Sequence, residues 1–199
     1  MVISGATDLT LEIKRGQRNE KTSIVDISRV SGLNLITRDD AGVIHIGALV
    51  THNQIASSSI IRKDACCLAE AAFQVGSPQI RNRGTVAGNL ITASPANDTI
   101  PALIALGAEL VLVSINGERR IPLEDFYLGV RKTTLRSDEI LKEIILYPRI
   151  SNYISTFYKF ALRNAQAISV VNAAVAIKIL GCNVMDIIIA VGAVAPTVV

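Results

Sequence analysis

The chain has 199 residues, and 50% of them are hydrophobic, which is enough to build the core of one domain or of two small lobes. Its formal net charge is +3 and its lysines and arginines are scattered, so the charge pattern gives no reason to expect binding to nucleic acid or to an anionic membrane. Aromatic residues make up only 4% and tryptophan is absent, which also disfavours a surface that stacks on bases.

The first part of the chain predicts two short strands and then helix. Residues 23–28 (SIVDIS) and 43–50 (VIHIGALV) are typical of strands, and in the second the alternation places His45 on the side opposite its isoleucine neighbours. Between about residues 51 and 74 the spacing of apolar residues is helical. The positions in this stretch that are predicted to be buried are Ile55, Ile60, Leu68, Ala71 and Ala72.

Residues 76–98 (GSPQIRNRGTVAGNLITASPAND) show neither helical nor strand periodicity. Gly84 and Gly88 allow backbone conformations that other residues avoid, and hydroxyl and amide groups can donate hydrogen bonds to anionic oxygens. The segment therefore predicts a loop that cradles a phosphate-bearing cofactor. The glycine spacing alone, without GxGxxG or GxxxxGK[ST], fits an ordinary structural turn equally well.

A helix and a hairpin are predicted next. Asp98 is placed to cap a helix whose first turn accepts Pro101, and Gly107 should end that helix. Residues 109–114 and 119–122 are predicted to pair through an Asn-Gly turn.

Later alternation of apolar residues predicts an antiparallel sheet near the end of the chain. The predicted strands are residues 140–146, 154–162, 170–180 and 185–191, with residues 181–183 as the last turn. Together the elements predict an α+β pattern in two lobes.

The cysteines indicate whether the chain holds a metal. The N-terminus and the apolar runs indicate where the protein is located. Cys66, Cys67 and Cys182 form no CxxC pair and no set of four, so we expect no iron–sulfur cluster or structural zinc held by this chain alone. The N-terminus lacks the build of a signal peptide, and polar residues or glycine interrupt the longest apolar runs. The expectation is a cytoplasmic protein with no membrane span.

Two motifs then carry a resemblance. The string QIRNRGTVAGNLITASPANDTIPALIALGAELVLVS resembles the FAD-binding loop, and the helix and strand after it, of the molybdenum hydroxylases, the family of xanthine dehydrogenase and carbon monoxide dehydrogenase. SGATDLTLEIKRG near the N-terminus resembles the first pyrophosphate loop of that family. The similarity continues through RKTTLRSDEILKEIILYP and FYKFALR, so the chain is identified as a member over essentially its whole length.

The resemblance implies a two-lobed α+β FAD-binding fold of the vanillyl-alcohol-oxidase and molybdopterin dehydrogenase type. Residues 1–75 would form the first lobe and residues 76–199 the second. Relative to the family, we expect the N-terminal strand and helix and the C-terminal domain to be absent, either because the chain is truncated or because it is a naturally compact variant.

The same resemblance implies roles for individual residues. Thr85 would donate its hydroxyl to the FAD pyrophosphate, with backbone amides near Gly88 and Asn89 beside it. Asp98 would accept hydrogen bonds from ribitol or ribose hydroxyls, or cap the following helix, or do both. The full set implied to bind FAD is Val2, Ile3, Ser4, Gly5, Ala6, Thr7, Asp8, Leu9, Val75, Gly76, Thr85, Gly88, Asn89, Thr92, Ser94, Asp98, Leu141 and Lys159.

Some positions depart from the family pattern or match nothing in it. Ala6 and Ala87 stand where the family has glycine, and for Ala6 the cost is on the order of 1 kcal/mol if the local φ is positive. His45 and His52 match no catalytic position.

The implied function is electron transfer within an oxidoreductase complex. Electrons would pass from an iron–sulfur [2Fe–2S] subunit, served by a large molybdopterin subunit, through FAD to NAD or another acceptor; the residues that follow Arg163, Asn-Ala-Gln, leave the acceptor open. Two alternatives remain: an assembly module of the same fold that binds FAD poorly, and a stand-alone oxidase of the vanillyl-alcohol-oxidase type.

Overall fold

The computed structural model describes residues 1–17, 23–148, 152–163 and 166–199, and its elements confirm an α+β fold. The α-helices are α1 (Leu9–Lys14), α2 (His52–Ser57), α3 (Ser59–Asp64), α4 (Cys66–Gln74), α5 (Pro78–Arg83), α6 (Val86–Thr92) and α7 (Thr99–Ala105). The strands are β1 (Val2–Ile3), β2 (Val25–Asp26), β3 (Ile36–Arg38), β4 (Ile44–Gly47), β5 (Glu109–Ser114), β6 (Gly117–Pro122), β7 (Tyr127–Gly129), β8 (Lys132–Thr133), β9 (Ile140–Leu146), β10 (Ile154–Ala161), β11 (Ser169–Leu180) and β12 (Asn183–Gly192). A 3₁₀ turn, Leu123–Phe126, follows β6.

A five-stranded antiparallel sheet has the order β3-β4-β9-β5-β6. The hairpin of β5 and β6 is as predicted. Strand β9 was predicted at its observed bounds but was grouped with the C-terminal strands, whereas it pairs with β4 and β5. The larger sheet therefore takes β4 from before residue 75 and β5 and β9 from after it.

A three-stranded antiparallel sheet, β10-β11-β12, lies near the end of the chain, and its last turn contains Gly181 as predicted. Helices α4 and α7 contact this sheet, and α6 contacts β9 of the larger sheet, so the helices lie between the two sheets. One core joins all three layers and includes Ile46 and Ile144 from the larger sheet, Leu68 from α4 and Phe157 from β10. Among the described residues, no helix combines the length and the apolar character needed to cross a membrane.

The helical stretch predicted over residues 51–74 consists of three short helices. The first is opened by a capping box, in which the Thr51 hydroxyl accepts the Gln54 N–H and the Gln54 side chain accepts the Thr51 N–H. Ser58 then caps α3 through a hydrogen bond from the N–H of Ile61. A second cap in mid-segment starts a new helix, which the apolar spacing did not reveal.

Residues 76–98 were predicted to be a loop, and this was wrong, because two helices lie within them. Ser77 caps α5, with Pro78 in its first turn, and Thr85 caps α6. Ala93, at φ 50°, ends α6 in the left-handed region. Each helix is shorter than about two turns, too short for a repeat of apolar residues to be visible in the sequence.

Candidate cofactor-binding cleft

A cleft of about 530 Å³ is lined mainly by three parts of the chain: residues 1–9, the α5–α6 region, and residues of the 131–141 segment. The volume lies within the range of roughly 300–1,000 Å³ that is usual for small-molecule sites. The cleft therefore collects segments that are far apart in sequence, including both motifs that the sequence analysis assigned to a cofactor.

The two motif loops touch each other directly. A Cβ atom at Gly5 would lie 2.1 Å from the carbonyl oxygen of Arg83, so only glycine allows the first loop to approach the second this closely. The hydroxyl oxygens of Ser4 and Thr85 are 3.4 Å apart. The two loops form one continuous polar wall of the cleft.

Thr85 anchors the second loop. Its hydroxyl oxygen accepts the N–H of Gly88 at 3.0 Å and caps α6, and the side chain is largely buried. A Cβ at Gly88 would lie 2.9 Å from that oxygen, so glycine keeps this contact short. A hydroxyl that accepts one hydrogen bond still has its own proton to donate, which suits it to an anionic ligand.

The two alanines that replace family glycines differ in conformation. Ala6 has φ 62°, in the left-handed region that L-residues with a Cβ disfavour by about 1 kcal/mol or more. Ala87 lies inside α6, where alanine is the best helix former. The first substitution therefore strains the first loop, and the second does not strain α6.

Most of the predicted FAD-binding residues lie along this cleft. Those that line it are Val2, Ile3, Ser4, Gly5, Ala6, Thr7, Asp8, Leu9, Val75, Thr85, Gly88, Asn89, Thr92 and Leu141. Gly76, Ser94, Asp98 and Lys159 are not among the lining residues.

Two of the lining side chains already make hydrogen bonds to other groups of the protein. The Thr92 hydroxyl donates to the carbonyl oxygen of Gly88 at 2.8 Å, within its own helix. The side-chain oxygen of Asn89 accepts the hydroxyl of Thr99 at 2.6 Å, which joins α6 to α7. Thr92 is therefore a weaker candidate donor to a ligand than Thr85.

Asp98 lies in a buried polar cluster that also contains Lys159, Ser169 and Asn172. Its carboxylate is 2.6 Å from the Lys159 ammonium and accepts hydrogen bonds from Ser169 at 2.5 Å and Asn172 at 2.9 Å. The Lys159 ammonium also donates to the carbonyl oxygen of Gln74 at 3.3 Å. The predicted helix cap is corrected, because Asp98 makes no side-chain hydrogen bond to the first turn of α7. Contact of Asp98 or Lys159 with FAD stays a prediction.

Charged residues of the cleft were missed by the sequence analysis, although they lie in or next to segments quoted for the resemblance. Arg131 and Arg136 line the cleft, as do Glu12 and Glu139. The Arg131 guanidinium is 3.8 Å from the Glu12 carboxylate. Arginines are the side chains best suited to bind phosphate oxygens, which is the signal that could have singled them out.

The negative charge of Glu139 is paired with Arg119, which is not among the residues that line the cleft. The guanidinium of Arg119 donates two hydrogen bonds to its carboxylate, at 2.6 and 2.8 Å, and the N–H of Arg136 donates a third at 2.9 Å. These contacts, with that of Arg119 the largest, lower the pKa of Glu139 to about 2. An ion pair of this kind reduces the repulsion that the carboxylate would exert on an anion in the cleft.

His52 also lines the cleft and is almost fully buried. Burial, with a smaller contribution from the charge of Arg81, lowers the pKa of His52 to about 4. The imidazole is therefore neutral near pH 7. Sequence reasoning gave it no role, and its burial became visible only in the structure.

These features fit FAD. The hydroxyls of Ser4 and Thr85 and the nearby arginines suit a pyrophosphate, and the side chains of Val75, Ile80 and Leu141 supply apolar surface for a flavin ring. No glycine-to-alanine change closes the cleft.

Comparisons with known proteins show the family to which the chain belongs. Residues 1–149 match the family described as FAD binding domain in molybdopterin dehydrogenase, and residues 156–199 match the CO dehydrogenase flavoprotein C-terminal domain. The predicted division of the chain into lobes at residues 75/76 stays a prediction.

The individual relatives are longer than this chain. The chain is 43% identical to the nicotinate dehydrogenase FAD-subunit of Eubacterium barkeri, over 89% of this chain and 60% of that protein. It is 34% identical to the carbon monoxide dehydrogenase medium chain of Hydrogenophaga pseudoflava, over 87% of this chain and 60% of the relative. The chain thus spans 60% of the length of each of these relatives.

A solved structure of carbon monoxide dehydrogenase from Hydrogenophaga pseudoflava, which lacks the Mo-pyranopterin moiety of its cofactor, superimposes with a TM-score of 0.94 at 30% identity. The superposition covers 100% of this chain and 68% of that one. The family match over three quarters of the sequence, the identities to FAD subunits and the shared fold lead to one conclusion: the chain belongs to the family of FAD-binding domains of molybdopterin dehydrogenases.

Proposed function

We propose that this chain is the FAD-carrying electron-transfer component of a molybdenum hydroxylase. The observation that carries the proposal is the convergence of the two pyrophosphate motifs on one cleft, where Gly5 lies against the Arg83 carbonyl and Ser4 lies beside Thr85. When bound, FAD supplies the one- and two-electron chemistry, and the protein supplies its binding, orientation and surroundings. The chain needs no general base of its own for this role.

Its partners are proposed from chemistry and from its relatives. The three cysteines of this chain are too few for the four ligands of a [2Fe–2S] cluster. Electrons are therefore expected to reach FAD from an iron–sulfur subunit, with a large molybdopterin subunit selecting the substrate. The names of the relatives, such as nicotinate dehydrogenase FAD-subunit and carbon monoxide dehydrogenase medium chain, support a complex of several subunits.

The electron acceptor is proposed to be NAD or another acceptor of the same electrons. The sequence feature that bears on it, the Asn-Ala-Gln run after Arg163, lies partly outside the described residues. The cytoplasmic location likewise stays a prediction.

One observation favours a second candidate, an assembly module that binds FAD weakly. Ala6 holds a left-handed conformation in the first loop, so the loop that is expected to face FAD is less stable in this conformation than it would be with glycine.

Affinity purification from the native cell tests the proposed function. We expect an affinity-tagged chain to recover a small iron–sulfur protein and a large molybdopterin protein, and the recovered complex to reduce an added acceptor in the presence of substrate. Recovery of a monomer that oxidises a substrate by itself would favour the stand-alone oxidase. A complex without flavin would favour the assembly module.

A further inference from the structure

We propose that Arg81 is a positioning residue that fixes the turn at Val75 and Gly76, and thereby holds Val75 in the apolar part of the cleft lining that suits the flavin ring. The inference rests on the proposed function, because it concerns the surroundings of bound FAD. Arg81 is not among the residues that line the cleft. It affects the lining through its hydrogen bonds to the backbone of the turn.

The contacts of Arg81 converge on this turn. Its Nη1 atom donates to the carbonyl oxygen of Val75 at 3.1 Å and to that of Gly76 at 3.4 Å. Its guanidinium carbon lies 5.1 Å from the ring centroid of Phe73, the second-last residue of α4, within the range of a cation–π interaction. One side chain thus joins the end of α4 to the turn that follows it.

The turn has a physical need for such a clamp. Val75 is the C-terminal cap of α4, and carbonyl groups at a helix end lack partners within the helix. Gly76 has φ 48°, and glycine loses more conformational freedom than any other residue when it is fixed. Ile80, one residue before Arg81 in α5, closes the other side, since a Cβ at Gly76 would lie 3.0 Å from its Cγ2 atom.

The clamp is coupled to the cleft through two kinds of contact. Val75 and Ile80 both line the cleft, so a shift of the turn moves apolar surface that faces the ligand. The positive charge of Arg81 also acts on the interior of the cleft, because it contributes to the lowered pKa of His52, a lining residue. A fixed cation at this place favours the reduced, more negative flavin over the oxidised one.

Two substitutions distinguish the effect of the Arg81 hydrogen bonds on the turn from the effect of the Arg81 charge. Arg81→Met removes the donors and the charge but keeps an apolar stem, and Arg81→Lys keeps the charge but lacks the planar fork that reaches both carbonyls. Arg62→Met, an exposed arginine on α3 away from the cleft, is the matched control. Each protein is purified, loaded with FAD, and checked for folding by circular dichroism.

Three measurements are made on each variant: the FAD dissociation constant, iodide quenching of the bound flavin, and the flavin midpoint potential. For Arg81→Met we expect a dissociation constant raised by about tenfold, stronger quenching and a lower potential. For Arg81→Lys we expect stronger quenching but a potential close to that of the wild type. Arg62→Met should match the wild type in all three.

The inference is overturned if Arg81→Met binds FAD with the affinity, quenching and potential of the wild type. If Arg81→Met does not fold, Arg81→Lys decides, and wild-type quenching in that variant overturns the positioning role. Failure of the wild-type chain to bind FAD refutes the proposed function instead, so the two failures are distinguishable.

Discussion

The wall formed by the two motif loops and the buried cluster around Asp98 were both assigned to FAD from the sequence, yet they are built differently. In the wall, Thr85 uses its oxygen to cap α6 and keeps a proton to donate. In the cluster, the Asp98 carboxylate forms an ion pair with Lys159 and accepts hydrogen bonds from Ser169 and Asn172. The difference teaches that a motif can mark residues that hold the fold around a site as well as residues that face its ligand.

The largest expected effect tests the cluster. Lys159→Met leaves the Asp98 carboxylate buried without its counter-ion, so we expect the free energy of unfolding to fall by about 3–5 kcal/mol, measured by urea denaturation. Lys142→Met is the control, because its ion pair with Glu118 is exposed and should cost less than about 1 kcal/mol. A loss as small as that of the control would mean that the Asp98–Lys159 pair does not hold the fold.

Asp98→Asn tests the same cluster by removing the negative charge of Asp98. Asparagine caps helices nearly as well as aspartate, so a capping role predicts almost no change. The structure predicts instead a loss of about 3 kcal/mol, because Lys159 keeps its charge in a buried place. Thermal and urea unfolding of the variant distinguish the two.

On the cleft side, the next effect depends on pH. The folded pKa of His52 is about 4, below its ordinary 6.5, so the unfolded chain binds a proton more readily as the pH falls. Stability should therefore be lost between about pH 6.5 and pH 4, by up to about 3 kcal/mol from this residue. Urea denaturation of the wild type and of His52→Gln at several pH values measures it, and equal slopes in this window would contradict the burial of His52.

Thr85→Ala sharpens the account of the cleft wall. We expect FAD binding to weaken by about 1–2 kcal/mol through loss of one hydrogen bond, as measured by flavin fluorescence titration. Thr85→Ser should retain both the cap and the donor. Thr92→Ala is the matched control, because the Thr92 hydroxyl donates within its own helix, and equal effects of the two alanine variants would show that the wall has been misassigned.

The smallest effect separates the two alanines. Ala6→Gly should stabilise the chain by about 1 kcal/mol, because glycine accepts a positive φ. Ala87→Gly should destabilise the chain by about 1 kcal/mol, because it places glycine inside α6. Urea denaturation of both variants, with the sign of each change, checks the assignment.

How much the sequence revealed depends on the length over which a signal extends. Strand β9 and the hairpin of β5 and β6 were predicted closely because alternation and an Asn-Gly turn extend over several residues. Helices α5 and α6 were missed because each is specified by one capping hydroxyl rather than by a repeat.

The site shows the same limit. The motif loops were found through their glycines and hydroxyls, and the structure brings them together. Ser169 and Asn172, the hydrogen-bond partners of Asp98, lie some seventy residues after it in the sequence and were identified only in the structure. Long-range contacts of this kind leave no local pattern in a single sequence.

Flavin analysis of the purified chain tests the central claim most directly. The chain is reconstituted with excess FAD, freed of unbound ligand by gel filtration and precipitated with acid. The account predicts one FAD per chain before precipitation, with a flavin absorption spectrum, and its complete release into the supernatant, because binding is non-covalent. A chain that retains no flavin after reconstitution would contradict the claim that the two loops form an FAD site.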